Sequence, residues 1–431
     1  SGKSNLIEAI CLIFKYLQKE PQSMTVFQDF SLEYELQKKN IKIDWRTGQG
    51  YKCQIDKENY NIDGFLAQES KGVKIFPENI VVTYSGTNKR LEDYLKRYEK
   101  DQNKLLAKGI FEKKSVYYYR PEMFSFGLWS LLSIQGGDTK EFLKDYCEID
   151  GIDRISLKIK VPSYGNNDKE DFFGAKGIVR NFLKVLKKNA SNTEENFMDL
   201  LHGQKGKFLY LNYDIKKDAK FLENILYNLP AGEYHHSHLF NLFDALYYSD
   251  MVEEVFLYVF KNGESINYTL LSEGEQQMIT MKILLECFGY NESLYLFDEP
   301  DTFLHPKWQR DLIPTIEKIG GESQIIITTH SPNILTNMDK EDVFIIENGS
   351  ILDRKPHTKG RDNNSILFEM GLDKMPKFSV DKLNNIYKLI DKKQFGEAKK
   401  LIDELEKDFG PDDTEIVAAR TTLNWERDFE D

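Results

Sequence analysis

Behind its first residues the chain sets Leu6, Ile7, Ile10, Cys11, Ile13 and Phe14 largely three and four apart, which predicts an amphipathic helix. The period then changes. Segments 32–36, 41–45 and 51–55 alternate apolar and polar residues around the turn chemistry of Thr47-Gly48-Gln49-Gly50, and predict antiparallel strands. Residues 80–84 and the unbroken apolar runs 294–297 and 325–327 predict core strands of a parallel sheet. Between them, 141–146, 177–188 and 277–285 read as helices, and 155–161 and 255–259 as strands. Residues 343–346, followed by Asn348-Gly349, predict a hairpin that closes the sheet. In 380–390 and 397–409, Leu383, Ile386, Tyr387 and Ile390 answer Ala398, Leu401, Ile402 and Leu405, so two amphipathic helices joined by a short turn are expected as antiparallel neighbours. Gly410-Pro411-Asp412-Asp413 then stops one helix and caps another, from Thr414 towards Trp425. The class is α/β, sheets with flanking helices in one sandwich.

Two acids give this pattern its chemistry. Asp298 and Glu299 follow the apolar run 294–297, at a strand end, where open α/β sheets bind ligands. There Asp298 is suited to hold Mg²⁺ and Glu299 to polarise an attacking water. The chain start supplies the matching phosphate end. Ser1-Gly2-Lys3-Ser4 runs straight into the first helix, as a phosphate-binding P-loop does, with Lys3 reaching β- and γ-phosphates and Ser4 ligating Mg²⁺. Gly2, Lys3, Ser4 and Asn5 are therefore the expected phosphate contacts. The upstream glycine and strand of a full motif are absent, and the expectation is that a native N-terminal strand and loop precede Ser1.

The order Gly-Lys-Ser, then Leu271-Ser272-Glu273-Gly274-Glu275-Gln276, then apolar-Asp298-Glu299-Pro300, then Thr328-Thr329-His330-Ser331-Pro332 resembles the ABC-type ATPases, in the branch of Rad50, SMC and OLD-type proteins. The resemblance implies a P-loop NTPase head that binds ATP and Mg²⁺ and pairs with a second head. Ser272 and Gly274 would then bind, in trans, the ATP held by the other head, and His330 would sense its γ-phosphate. Asp301 lies where that family's dimer-contacting D-loop sits. The reading by residue type alone is blander: Ser272 as a helix N-cap and His330 as a core histidine.

The expected organisation is an N-terminal half-head over 1–110, an inserted and mostly helical lobe over 111–255, a second half-head over 256–355, and a C-terminal helical, partner-binding segment over 356–431. The insertion carries no sustained heptad, against a long coiled coil. No lid-loop glutamine is assigned after 80–84, Gln102 and Gln135 being candidates by proximity alone. Tyr117-Tyr118-Tyr119-Arg120 and Trp129 read as packing. His235, His236 and His238 read as a surface helix start, since ligands on a helix recur three or four apart. A net charge of −12 argues against a uniformly basic nucleic-acid coat, while Lys89, Arg90, Lys96 and Arg97, or Arg180, Lys184, Lys187 and Lys188, permit local DNA contact. Four scattered cysteines suggest reduced thiols, no run of about 20 apolar residues suggests a membrane span, and cytoplasm is the expected compartment.

The tail after the hairpin has no acidic nuclease motif of the OLD type. Its order, with Gly360-Arg361-Asp362-Asn363-Asn364-Ser365-Ile366-Leu367 and an acidic helical end, is similar to the ATPase subunit of Septu-type anti-phage systems, also found beside certain retrons. That resemblance implies an oligomeric ATPase regulating a separate HNH-type nuclease. A Rad50-like DNA-repair clamp and the ATPase of another two-gene defence system, such as PARIS, are the alternatives.

Overall fold

The computed structural model describes residues 2–21, 29–84, 90–112, 114–133, 138–193, 203, 208–215, 236–288, 292–319, 323–371 and 377–428. Helix α1 (Lys3–Lys19) buries Ile7, Cys11, Ile13 and Phe14 of the predicted face, and Leu12 and Leu17 besides, while Leu6 is exposed and Ile10 half-buried. Strands β1 (Phe30–Leu36), β2 (Lys39–Arg46), β3 (Gly50–Ile55) and β4 (Glu58–Tyr60) pair antiparallel in that order. The register sets Leu32 opposite Ile43 and Ile43 opposite Cys53, so the apolar residues share one face while Ser31, Glu33 and Glu35 are exposed. The Asn61 side chain accepts the Gly64 N–H and starts α2 (Ile62–Ser70), which buries Phe65 completely, a gain of roughly 1.5–3 kcal/mol. These residues pack with α1 and with the strand β5 (Ile80–Tyr84) into one apolar core.

From α3 (Arg90–Ala107) and β6 (Val116–Tyr118) the chain continues through α4 (Phe124–Leu132), α5 (Asp138–Cys147), β7 (Ile149–Lys160), α6 (Gly177–Lys188), β8 (Phe208–Asp214), α7 (His236–Tyr248), β9 (Val252–Lys261), β10 (Glu264–Asn267) and α8 (Glu273–Phe288). The second antiparallel sheet has the order β10-β9-β7-β8. The segment expected as mostly helical thus supplies β7, twelve residues long and alternating in burial, of which the sequence pattern showed only the later part. Its partner β9 spans the border expected at 255, and β6 pairs parallel with β5 across the border expected at 110. Aromatic rings pack within this segment and across the border at 255: Trp129 of α4 packs edge-on to Tyr213 of β8 and against Phe243 of α7, Phe182 of α6 meets Phe243, and Tyr117 and Phe240 both pack on Phe288 of α8. Tyr117 and Trp129 are buried, and Tyr117 donates to Asn241, as the packing reading expected.

Strand β11 (Leu294–Asp298), helix α9 (Pro306–Ile319) and strand β12 (Gln324–Thr328) complete the parallel sheet, in the order β12-β11-β5-β6. β11 is buried throughout. β12 is half-exposed along Ile325, Ile326 and Ile327, because among the described residues it is the edge of this sheet. In register, Asp298 of β11 stands beside Thr328 of β12, which fixes the site described below.

The chain divides into two compact units, residues 1–334 with 346–351, and residues 335–345 with 352–431. The short helix α10 (Pro332–Leu335) ends the first run. The predicted hairpin forms, but as the separate two-residue strands β13 (Ile346–Glu347) and β14 (Ser350–Ile351), not as part of a larger sheet. Val343 and Phe344 stay outside it. In the second unit Val343 packs with Leu335 and Ile366 of α11 (Asn363–Glu369), whose Asp362 cap accepts from Asn364 and Ser365. Then α12 (Lys377–Asp391), α13 (Phe395–Phe409) and α14 (Thr414–Asp428) form a three-helix bundle. Leu383, Ile386 and Ile390 meet Ala398, Ile402 and Leu405, as their spacing predicts, with Ile416, Ala419 and Leu423 closing the third side. The amphipathic faces of this tail are therefore buried against one another.

Among the described residues, no group of His, Cys, Asp and Glu is arranged to hold a metal by itself. His235, Gln135, Lys89 and the loop Ser85-Gly86 lie outside those residues, and Gln102 is buried in α3. All four cysteines are buried and free. Of the basic candidates, Lys96 pairs with Asp93, Arg97 approaches Glu20, Arg180 binds Asp171 and Lys187 binds Glu170. No described helix is long and apolar enough to cross a membrane.

Candidate active site

Three chain segments converge where β11 and β12 end. Gly2 has φ +85, left-handed backbone that suits glycine, and the next residue begins α1. That turn brings Lys3 and Ser4 to the strand ends. The Ser4 hydroxyl donates to Asp298 Oδ2 at 3.0 Å, and the Thr328 hydroxyl donates to Asp298 Oδ1 at 2.5 Å. Asp298 itself is almost fully buried, so its carboxylate is aimed by these two hydroxyls. Lys3 Nζ donates to the Thr329 carbonyl at 2.5 Å. Burial lowers the Lys3 pKa, against the pull of the Glu299, Asp298 and Asp301 carboxylates.

Glu299 leaves β11 with φ +48, an uncommon conformation for a non-glycine residue, held by its N–H donating to the Thr328 carbonyl at 3.0 Å. The turn directs its side chain outward: Glu299 Oε1 lies 3.6 Å from His330 Nε2, and both side chains are solvent-accessible. Glu299 and His330 thus face one another, and the Glu299 carboxylate lies near the Lys3 ammonium. His330 is no core histidine.

Asp301 sits differently from an open dimer-contact residue. It is buried, and Thr329 Oγ1 donates to its Oδ2 at 3.0 Å. Burial raises its pKa, with Glu299 adding to the rise, while the Thr329 bond and the Lys3 charge oppose it. A hydrogen-bond web holds this turn: Gln309 Nε2 donates to the Asp301 carbonyl, Ser331 Oγ and Asn333 Nδ2 both donate to Gln309 Oε1, and Gln277 Nε2 donates to the Pro300 carbonyl. Thr328, Thr329, Gln309 and Gln277 are positioning residues that motif reading left unassigned. No local signal marks Thr328, because its meeting with Asp298 depends on the register of two separate strands.

Ser272 and Gly274 lie at the start of α8. Ser272 is exposed and is the N-cap, as the blander reading also had it. Gly274 is buried: a Cβ there would lie 3.0 Å from the Phe303 carbonyl and 3.2 Å from the Trp308 ring. None of the hydrogen bonds that Ser272 makes among the described residues reaches Lys3, Ser4 or Asp298. Asn5 is exposed on α1.

The donor set suits Mg²⁺. Ser4 Oγ and Asp298 Oδ2 are hard oxygens already 3.0 Å apart beside a helix N-terminus, and Mg²⁺ takes one or two protein oxygens and fills its shell from phosphates and water. Asp298, Glu299 and Asp301 against a single lysine leave this cleft with negative charge that a cation would offset.

A family model described as "AAA domain, putative AbiEii toxin, Type IV TA system" matches residues 160–336. That span holds Ser272, Asp298, Glu299 and His330. The chain is 31% identical to the Retron Ec83 probable ATPase of Escherichia coli over 194 residues, 40% of this chain and 36% of that protein. It is 36% identical to the Retron Vc95 probable ATPase of Vibrio cholerae over 99 residues, 20% of this chain and 19% of that protein. It is 50% identical to the Septu protein PtuA of Bacillus thuringiensis over 44 residues, 10% of this chain and 11% of that protein. The matched segments span little more than a third of these relatives at most. Residues 160–336 of this α/β chain are thus similar to an AAA domain, and parts of the chain are similar to the retron and Septu ATPases.

Proposed function

We propose that this chain is the ATP-binding and hydrolysing subunit of a prokaryotic anti-phage defence complex, in which ATP-dependent pairing of heads regulates a separate HNH-type nuclease. The convergence of Lys3, Ser4, Asp298, Glu299 and His330 carries the reading. Similarity to retron and Septu ATPases supports the defence setting.

In this mechanism the amides and dipole at the start of α1 bind the β- and γ-phosphates, and the Lys3 ammonium leaves the Thr329 carbonyl for the phosphate oxygens. Ser4 and Asp298 would hold Mg²⁺, which would offset phosphate charge. Glu299 accepts a proton from the water whose oxygen forms a bond to the γ-phosphorus, while the bond from phosphorus to the bridging oxygen of ADP breaks. His330, 3.6 Å from Glu299, hydrogen-bonds the γ-phosphate and links its presence to the carboxylate. Ser272, exposed at the N-terminus of α8, binds the nucleotide of the other head and makes the site composite. The three-helix bundle docks the nuclease.

Mixing subunits tests the composite site. A Lys3→Ala chain and a Ser272→Arg chain are each expected to be inactive alone, and their mixture to recover hydrolysis from one intact site per mixed pair. Mixed pairs that demonstrably form and stay inactive contradict the shared site.

A further inference from the structure

The start of α8 holds an arrangement that the nucleotide chemistry above does not use. Ser272 Oγ accepts the Glu275 N–H at 3.3 Å, and Glu275 Oε2 accepts both the Ser272 N–H, at 2.9 Å, and the Ser272 hydroxyl, at 3.0 Å. This is a reciprocal capping box. A second clamp sits on the same carboxylate: Lys261, the last residue of β9, donates to Glu275 Oε1 and to the Cys147 carbonyl at 2.8 Å, and lies 3.6 Å from Glu148. Both partners are largely buried, Glu275 at 12% and Lys261 at 21% side-chain exposure. An exposed serine is therefore tied, through one buried carboxylate, to the second antiparallel sheet and to the end of α5.

The consequence is geometric. Free serine at a helix start samples several rotamers, whereas here three bonds fix both the backbone and the hydroxyl of Ser272. Gly274, one turn position on, is held under Phe303 and Trp308. We propose that Glu275 and Lys261 are the positioning residues of the signature, fixing Ser272 so that it meets the nucleotide of the opposing head already oriented. This rests on the shared-site reading. Although burial alone would raise the Glu275 carboxyl, the Lys261 and Ser272 donors hold it below the ordinary value, so Glu275 remains a carboxylate at neutral pH.

The mixed pair supplies a test that separates positioning from stability. In the pair of Lys3→Ala and Ser272→Arg subunits, the working site uses Ser272 of the Lys3→Ala subunit. Glu275→Ala, which removes both the cap acceptor and the Lys261 partner, is added either to that subunit or to the Ser272→Arg subunit, whose signature is already idle. The kcat with the first placement is expected to fall about five- to tenfold below the second, the range for losing a cap and a charge-assisted bond, with the KM for ATP little changed. Lys261→Met is expected to repeat the asymmetry and Lys261→Arg to relieve it. Equal losses in the two placements, or no loss in either, overturn the positioning role. A parent pair that shows no activity at all overturns the shared-site reading itself, and the positioning role with it.

Discussion

At the scale of single residues, the site is built from donors that solve one problem, a carboxylate buried at a strand end. Asp298 must be ionised to be useful and is nearly inaccessible, so Ser4 and Thr328 both donate to it. The acids and Lys3 were legible in the sequence, because an apolar run ending in Asp-Glu and a Gly-Lys-Ser before an amphipathic helix each carry their own chemistry. Thr328 and Thr329 were not, because their role depends on the register between β11 and β12, which no local pattern encodes. Asp301 was expected at a dimer-contacting loop, and its burial was not foreseen. That burial yields a prediction. Its carboxyl is raised by desolvation, so the ionised form is disfavoured in the fold. The penalty is absent below the unfolded value of about 3.9 and is complete above the folded one. Asp301→Asn, which keeps an oxygen for Thr329, should therefore melt above the parent chain at pH 7, and the gap should close as pH approaches about 3.5. A gap in melting temperature that is constant with pH would contradict this account.

At the scale of elements, period and burial agree wherever a segment completes its packing locally. β1, β2 and β3 alternate and pair as neighbours, and α12 and α13 present matching stripes to one another, so all five were readable. β7 was half-read, since it gains its partners β8 and β9 from residues some fifty to a hundred positions further along. The hairpin was over-read: an apolar run before Asn-Gly suggested long strands, while only two residues pair on each side. The tail bundle has a core of its own, from Leu383 to Leu423, and this bears on its role. A chain ending at residue 376 should keep the first unit folded and hydrolysing ATP, while losing co-purification with the HNH-type nuclease proposed as its partner. Retention of that nuclease at unchanged stoichiometry would move the docking surface elsewhere.

Across the whole molecule, the proposed catalysis draws on parts that lie nearly the full length of the first unit apart: Lys3 and Ser4 at its start, Ser272 in its later half, and Asp298, Glu299 and His330 near its end. The fold gathers all of them except Ser272, which stays capped within its own helix start. That exception is what the proposed second head would answer. If Glu299 positions the attacking water while Lys3 and Ser4 bind the nucleotide, equilibrium ATP binding and single-turnover hydrolysis, in Mg²⁺, of the full chain and of Glu299→Gln separate the two roles directly. The amide keeps the shape and removes the charge, so binding should persist, paired heads should accumulate with ATP, and hydrolysis should fall by about two orders of magnitude or more. Hydrolysis at the parent rate by purified Glu299→Gln would contradict the account.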